Sequence, residues 1–403
     1  MPEKKAKAYI SVDSGFCYVL EESQFGGLLT TTLADTNMDV SKKKDDLVLS
    51  NGSFIDIKIS GRVSSISDGE ITLKKTITSV NDDGTYGTIS NIASTVVTDH
   101  TRTIKEIGPT WHNKKQGTPT MGGLCFIFAS TVAVALATLS LLHSAPEMLG
   151  GPTARSLYIA MFSAFAFGMV GFLDDFIKVV KKRNLGLRAM QKIVAQLLIT
   201  TALLFALHMN GTLTTFVTLP GLGYVDLGLL YYPLSYGLII GIVNAVNLTD
   251  GIDGLCSCVT FVSMLGFLTL TSLLGEFNLS IFAAAMAGAL TGFLFWNFYP
   301  AKTFMGDTGS MFLGGTVAGI AYAMGRPELI FFFGAVYIWE ATTVVIQVTY
   351  FKLTHGKRLF KMTPIHHAFE MRGWSEVKID CVFSFIAFGA AALGVLFAYV
   401  YYL

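Results

Sequence analysis

Acidic side chains occur in short polar segments that interrupt long apolar runs. Asp174 and Asp175 are adjacent in GFLDDFIKVVKKR, and Lys178 follows one helical turn later. Adjacent carboxylates repel each other, so a cation is expected beside them. The alternative is that the pair merely ends a helix and faces water.

A second acidic segment has the sequence NAVNLTDGIDGL. Its oxygen-bearing side chains, Asn247, Asp250 and Asp253, are spaced three residues apart, with Gly251 and Gly254 between and after them. Such spacing can direct all three side chains to one side of a tight turn, and glycine lets the backbone approach a ligand closely. An Asx-rich turn between two helices remains the alternative.

The third acidic segment, NFYPAKTFMGDTGS, places Asp307 between Gly306 and Thr308 where an apolar run resumes. A carboxylate beside a helix N-terminus suits a divalent cation with a phosphate, because Mg²⁺ takes one or two carboxylates and completes its shell with substrate oxygens. An N-cap without a ligand is the alternative for Asp307.

A basic segment, KLTHGKRLFKMTPIHHAFE, follows a later apolar run and ends in the pair His366 and His367. Histidine beside lysine and arginine fits anion recognition. A solvated basic loop would explain the lysines and arginine but not the paired histidines. Together, aspartate clusters and cations are what metal-assisted phosphoryl transfer requires.

The elements that position these residues are predicted to be membrane helices. Hydrophobic residues make up 52% of the 403 residues and charged residues only 14%, against roughly 25% charged in ordinary soluble domains. A spanning helix needs about 20 apolar residues. The sequence predicts about nine spans, at residues 121–142, 157–173, 190–208, 229–246, 255–274, 279–298, 311–325, 329–350 and 380–402.

The loops between these spans differ in charge, and the chemistry-bearing segments all fall on the basic side. One set of loops carries the lysine and arginine clusters, whereas the other holds only Arg155 and Arg326. By the positive-inside rule the first set is cytoplasmic. We therefore expect an active site on the cytoplasmic face, with the N-terminus inside and the C-terminus outside.

The first hundred residues are polar and contain alternating stretches separated by Asp-Gly turns. We predict three parts: a β-rich soluble module of unknown role at 1–100, a cytoplasmic linker and loop at 101–120, and a transmembrane catalytic domain at 121–403. The chain start shows no cleavable secretory signal. The fold class is thus an all-α polytopic membrane protein with an appended N-terminal β-rich soluble region.

Five segments in order resemble the motifs of the phospho-N-acetylmuramoyl-pentapeptide transferase family, within the superfamily of polyprenyl-phosphate phospho-sugar transferases. They are QGTPTMGG (116–123), GFLDDFIK (171–178), NAVNLTDGIDGL (244–255), NFYPAKTFMGDTGS (297–310) and TPIHHAFE (363–370). The resemblance covers roughly residues 104–403.

The resemblance implies transfer of phospho-MurNAc-pentapeptide from UDP-MurNAc-pentapeptide to undecaprenyl phosphate, forming lipid I and UMP in peptidoglycan synthesis. It also implies a requirement for Mg²⁺, a location in the bacterial cytoplasmic (inner) membrane and a homodimer. A net charge of +1 gives no indication of nucleic-acid binding.

The resemblance also assigns roles by motif position. Asp307 is the implied Mg²⁺ ligand, and Asp174, Asp175, Asp307 and His366 are the implied catalytic residues. The implied substrate-binding residues are Lys115, Thr120, Lys178, Asn247, Asp250, Gly251, Asp253, Asn297, Phe304 and His367.

Two features depart from the family pattern. A polar region stands where the family has a first spanning helix, and Ala368 replaces the third residue of a histidine triplet. Two reaction schemes stay open: direct attack by the lipid phosphate, which a second phosphate pKa of about 6 makes chemically sufficient, and a covalent phospho-enzyme on Asp174 or Asp175.

Three other functions compete with this interpretation. A sister enzyme would transfer phospho-GlcNAc or another phospho-sugar to a polyprenyl phosphate. A transporter is disfavoured because its polar groups would lie near the membrane midplane rather than at one interface. An inactive scaffold is disfavoured by the intact set of aspartates.

Overall fold

The computed structural model describes residues 118–180 and 186–403 throughout, and within the first 117 residues it describes only strands. The chain divides into two compact units, residues 1–106 and 107–403. Each unit is described by itself.

The first unit contains strands in two sheets. Strand β1 pairs antiparallel with β2 and parallel with β4, while β6 pairs antiparallel with β3, β5 and β7. That residues 1–100 form a soluble module stays a prediction, because the connections and side chains of this unit lie outside the described residues. The strands are β1 (Tyr9–Val12), β2 (Cys17–Tyr18), β3 (Ile55–Asp56), β4 (Lys58–Gly61), β5 (Ile66–Ser67), β6 (Glu70–Val80) and β7 (Tyr86–Thr98).

The second unit is mostly helical, as its long apolar runs predict. It also contains a short hairpin of β8 (Phe216–Leu219) and β9 (Gly223–Asp226), where the sequence suggested only a connecting loop. The helices are α1 (Gly123–Ser144), α2 (Gly151–Val180), α3 (Ala189–Asn210), α4 (Tyr231–Thr249), α5 (Leu255–Leu273), α6 (Phe277–Asn297), α7 (Gly306–Ala323), α8 (Ile330–Phe333), α9 (Ala335–Leu353), α10 (Ile365–Glu370) and α11 (Glu376–Tyr402).

Within the described residues, seven helices are long and apolar enough to cross a membrane: α1 to α6 and α11. An eighth span is formed if the segment Pro327–Phe333 and α9, which are bent by 83° at Gly334, count as one. Large apolar side chains on the outer faces of these helices are exposed, among them Phe128, Leu136 and Phe385. Exposed apolar surface of this kind is suited to lipid, so the chain is a multi-pass membrane protein.

The predicted count of nine spans is therefore not reached. The predicted span 311–325 lies mostly in α7, which has 18 residues and begins with the polar turn Gly306–Ser310. Nearly every α7 residue after Asp307 is buried inside the helical unit. Helix α7 is thus enclosed by its neighbouring helices, and its polar first turn belongs to a site.

Small residues let α7 pack closely against its neighbours α2 and α4. A Cβ atom added to Gly314 would lie 2.6 Å from the Cα atom of Val243 on α4, and one added to Gly315 would lie 2.9 Å from the Cα atom of Ala164 on α2. Backbones can approach this closely only where a side chain is absent. The packing fixes the first turn of α7 against the ends of α2 and α4.

Candidate active site

Three aspartates meet where α2 ends and α7 begins. Asp174, Asp175 and Asp307 each place a carboxylate oxygen within 4.8 Å of the others. Asp174 and Asp175 are buried, whereas Asp307 is half-buried. The first and third acidic segments, which the sequence places on the same side of the membrane, thus meet in the structure.

Two lysines lie among these three carboxylates and offset most of their charge. The Nζ atom of Lys178 lies 3.0 Å from Oδ2 of Asp307 and also pairs with Asp174. The Nζ atom of Lys192, on the first turns of α3, lies 3.0 Å from the same Asp307 oxygen and 3.1 Å from Asp174 Oδ1. Carboxylates this close would repel each other without such cations.

Lys192 was missed in the sequence. It lies in RAMQKIVAQ, where a lysine at the start of an apolar run looks like an ordinary membrane-interface anchor. Lys192 follows the lysines and arginines of residues 178–188 closely. This proximity was the feature of the sequence that could have indicated its role. The structure adds it to the cluster, which we call the aspartate–lysine cluster: Asp174, Asp175, Asp307, Lys178 and Lys192.

The cluster depends on a close approach between α2 and α7. A Cβ atom added to Gly171 would lie 2.1 Å from the backbone carbonyl oxygen of Asp307. Asp175 in turn accepts hydrogen bonds from the backbone N–H and the hydroxyl of Thr308, at 2.9 and 2.8 Å. A carboxylate on the free N–H groups of a helix start stabilises that end, so Asp175 also anchors α7.

The segment after α4 supplies one direct contact to the cluster. The side-chain amide of Asn247 donates to Oδ1 of Asp307 at 3.0 Å and to Ser310 Oγ at 2.8 Å. Asp253 is not among the three converging carboxylates, and its own carboxylate accepts from the backbone N–H of Ala301 at 2.9 Å. The three predicted oxygen donors therefore do not all converge on one point.

Asp250 and Asp307 have opposite electrostatic environments. Burial raises the pKa of Asp250 to about 8, helped by the nearby negative charges of Asp307 and Asp175. Burial also opposes ionisation of Asp307, but hydrogen bonding with Asp174 and the charges of Lys178 and Lys192 lower its pKa below the usual value. At neutral pH Asp307 is thus an anion, whereas the carboxyl group of Asp250 keeps its proton more readily than an ordinary aspartate does.

The loop before α1 lies beside the cluster. Phe304 holds this loop, because its backbone N–H donates to Pro119 at 2.8 Å and its carbonyl accepts from Gly122 at 2.8 Å. A Cβ atom on Gly306 would lie 2.6 Å from Asp175 Oδ2 and 3.0 Å from the hydroxyl of Thr120. Thr120 thus lies at the edge of the cluster, where it is exposed, whereas Lys115 lies outside the described residues.

Asn297 lies in the scaffold rather than in the cluster. It is buried, accepts from Ser257 Oγ at 2.6 Å and donates to the carbonyl of Thr303 at 3.0 Å. These bonds tie α5 and α6 to the loop that carries Phe304. The contacts give Asn297 a structural role, and its predicted contact with a substrate stays a prediction.

The two histidines are adjacent but differently placed. His366 has no exposed surface, and its Nδ1 atom lies 3.1 Å from Oε1 of Glu340. Its ring occupies the side-chain space of Gly251, where an added Cβ would lie 2.2 Å from Nε2. His367 is 9% exposed, and its Nδ1 atom lies 2.6 Å from Glu370 Oε2. The Gly251 segment thus packs directly on His366.

This arrangement has the properties of a site for divalent cations and phosphates. Hard carboxylate oxygens within a few ångströms of each other suit Mg²⁺, and ammonium groups beside them can neutralise phosphate oxygens. The groups come from α2, α3, α4 and α7, all at the same end of the helical unit.

Comparison with protein families gives two matches. The family model described as glycosyl transferase family 4 matches residues 157–325. The model described as phospho-N-acetylmuramoyl-pentapeptide-transferase signature 1 matches residues 115–127. The first match includes every member of the aspartate–lysine cluster, and the second includes Lys115 and Thr120.

Curated relatives carry the name phospho-N-acetylmuramoyl-pentapeptide-transferase, as the signature does. A phospho-N-acetylmuramoyl-pentapeptide-transferase of Clostridium perfringens strain SM101 is 46% identical over 286 residues, which cover 70% of this chain and 83% of the relative. The one from Heliobacterium modesticaldum is 46% identical over 299 residues, covering 74% and 88%. One from Clostridium botulinum strain Alaska E43 is 44% identical over 292 residues, covering 72% and 86%.

Proposed function

Because this chain belongs to the phospho-N-acetylmuramoyl-pentapeptide transferase family, we propose that it transfers phospho-MurNAc-pentapeptide from UDP-MurNAc-pentapeptide to undecaprenyl phosphate. The products are lipid I and UMP, and the reaction belongs to peptidoglycan synthesis. The aspartate–lysine cluster is the observation that carries this proposal, since it joins three carboxylates and two cations at one end of membrane helices. The relatives' names favour the muramoyl branch over the phospho-GlcNAc alternative.

Asp307 is the proposed Mg²⁺ ligand, together with Asp174 and Asp175. The oxygen-only donor set and the separation of the three carboxylates fit this ion. When bound, Mg²⁺ would neutralise charge on the diphosphate. Lys178 and Lys192, which contact the same Asp307 oxygen, are placed to bind phosphate oxygens once the carboxylates are engaged.

We favour direct attack by the lipid phosphate. An oxygen of that phosphate forms a bond to the sugar-bearing phosphorus, and the bond from this phosphorus to the bridging oxygen breaks, so that the bridging oxygen leaves with UMP. A phosphate monoester near neutral pH carries close to two charges and needs no strong base. Asp175, already fixed by two hydrogen bonds to Thr308, is suited to holding the site rather than to attacking.

The remaining predicted residues divide between two parts of the substrate. Asn247, Asp250 and Gly251 form the segment that we assign to the nucleotide, with Asp253 and Asn297 supporting it from the scaffold. Thr120 and Phe304 border the cluster on the side of the loop that contains Lys115. His366 and His367 are assigned to the phosphates or the sugar.

The placement of the protein follows from its charge distribution. We propose that the site faces the cytoplasm in the inner membrane, with the N-terminus inside and the C-terminus outside, because the basic loops all lie on the side of the cluster. A homodimer is proposed from the family resemblance alone. Labelling of single cysteines in intact cells tests the orientation, and the mass of the detergent-solubilised protein tests the dimer.

Donor selection tests the proposed reaction. Purified protein in detergent is incubated with undecaprenyl phosphate and either UDP-MurNAc-pentapeptide or UDP-GlcNAc, each labelled in the sugar. We expect label to enter the lipid phase only from the muramoyl donor. Transfer from UDP-GlcNAc without transfer from the muramoyl donor would place the chain in the sister branch.

A further inference from the structure

A glutamate that the sequence did not single out is buried beside His366. Glu340 lies on α9, has no exposed surface, and places Oε1 3.1 Å from Nδ1 of His366. His366 lies on α10 and is also fully buried. The two side chains thus join the bent span to the short helix that carries both histidines.

A carboxylate at this position is costly. Glu340 lies in an apolar run that forms part of a candidate membrane span, and burial of an acidic group away from water is unfavourable unless a partner compensates it. Ionisable residues inside membrane helices commonly mark functional sites. Oε2 of Glu340 has no hydrogen-bond partner within the described part of the chain, so His366 is the partner that the structure provides.

His366 links this carboxylate to the proposed nucleotide segment. Its Nε2 atom is buried, has no hydrogen-bond partner among residues 118–180 and 186–403, and faces Gly251. Asn247, four residues before Gly251, donates to Asp307. One side of the imidazole therefore contacts Glu340, while the other supports the segment next to the aspartate–lysine cluster.

We infer that Glu340 is a positioning residue for the transferase and acts through His366. Its carboxylate accepts a hydrogen bond from Nδ1–H of His366, which fixes the ring and its tautomer and keeps Nε2 directed at the Asp250–Gly251 segment. The outer partner of a histidine commonly sets which ring nitrogen carries the proton. The effect of Glu340 on turnover rests on the proposed function, whereas its pairing with His366 does not.

A double-mutant cycle tests the coupling. We expect Glu340→Gln to lower kcat by about 10- to 100-fold, as the loss of a charged hydrogen bond implies, while the KM for the nucleotide donor changes less. In a His366→Asn background the same substitution is expected to have little further effect, because residues that act as a unit are not additive. Equal losses in both backgrounds would mean that Glu340 does not act through His366.

A spectroscopic measurement tests the pairing without turnover. In protein labelled with ¹⁵N-histidine, the His366 signals, assigned by their loss in His366→Asn, should show a proton on Nδ1, and Glu340→Leu should abolish this preference. Glu328→Gln is the matched control, since Glu328 is also buried but bonds to Thr218 and Tyr402 beyond the opposite end of α7. A wild-type His366 with its proton on Nε2 would overturn the inference.

The kinetic and the spectroscopic measurements distinguish a failure of the proposed function from a failure of the inference about Glu340. Wild-type protein that releases no UMP but shows the expected His366 signal would refute the proposed function and leave the pairing intact. Active wild-type protein with additive kcat losses would refute the inference and leave the function intact.

Discussion

At the scale of residues, charge balance explains the arrangement of the site. Three carboxylates that repel each other are held together by two lysines that share an oxygen of Asp307. The same lysines suit a phosphate-bearing substrate when a divalent cation engages the aspartates. Each lysine should therefore matter for turnover, including the one that sequence analysis missed.

Lys192→Ala is expected to lower kcat by about 10- to 100-fold, because it removes the charge that we propose contacts the reacting phosphates. Steady-state UMP release measures the effect. Lys378→Ala is the control, since Lys378 is exposed and lies over the ring of Trp374. Unchanged kcat in Lys192→Ala would remove this lysine from the proposed site.

Asn297→Ala distinguishes a scaffold residue from a substrate ligand. Loss of its bonds to Ser257 and Thr303 should cost about 1–3 kcal/mol of stability, while the KM for the nucleotide donor stays nearly constant. Thermal unfolding in detergent and initial rates measure the two effects. A large rise in KM without loss of stability would instead support the contact predicted from the motif.

The residues differ in how far the sequence could predict them. Asp174, Asp175 and Asp307 were predicted to lie on one membrane side, because each follows or precedes an apolar run there, and the structure brings them together. Lys192 was missed because a lysine at a helix start is normally an interface anchor. Glu340 was missed because it is embedded in an apolar run, and only the fold shows that α10 places His366 beside it.

At the scale of elements, close packing of α2 on α7 positions the aspartates. Gly171 faces the carbonyl of Asp307 with no room for a side chain. Besides α7, the described residues contain seven candidate spans and one bent pair. The predicted count of nine includes α7, which is not among these candidates because its 18 residues begin with the polar turn that carries Asp307.

Gly171→Ala is expected to separate α2 from α7 at the cluster. Strain of this kind costs about 1–3 kcal/mol, and turnover should fall because Asp174 and Asp175 move away from Asp307. Melting temperature and kcat are measured together. Gly288→Ala on α6 is the matched control, since nothing lies within 4 Å of its added Cβ, and an equal effect in both variants would argue against a specific contact.

At the scale of the whole molecule, catalysis is assigned entirely to the second unit. Every described residue of the proposed site lies between Thr120 and His367. The relatives from Clostridium perfringens and Heliobacterium modesticaldum match 70% and 74% of the chain. The role of residues 1–100 stays open, because their composition predicts strands but no chemistry.

Deletion of residues 1–100 is expected to leave kcat and KM within about twofold of the full chain. The reason is that no group of the proposed site is assigned to this region. UMP release by the truncated protein measures the effect. Its elution volume in size-exclusion chromatography and its melting temperature confirm that it is folded. Loss of activity in a well-folded truncation would show that the first unit takes part in the reaction.

UMP release by the purified full-length protein tests the proposed reaction most directly. The assay contains UDP-MurNAc-pentapeptide and undecaprenyl phosphate, with Mg²⁺ or EDTA, and compares wild type with Asp307→Ala. We expect release that requires the lipid and Mg²⁺ and that falls at least about 100-fold in Asp307→Ala, since this removes the proposed metal ligand. Release that persists without Mg²⁺, or undiminished in Asp307→Ala, would contradict a metal-assisted transfer at the aspartate–lysine cluster.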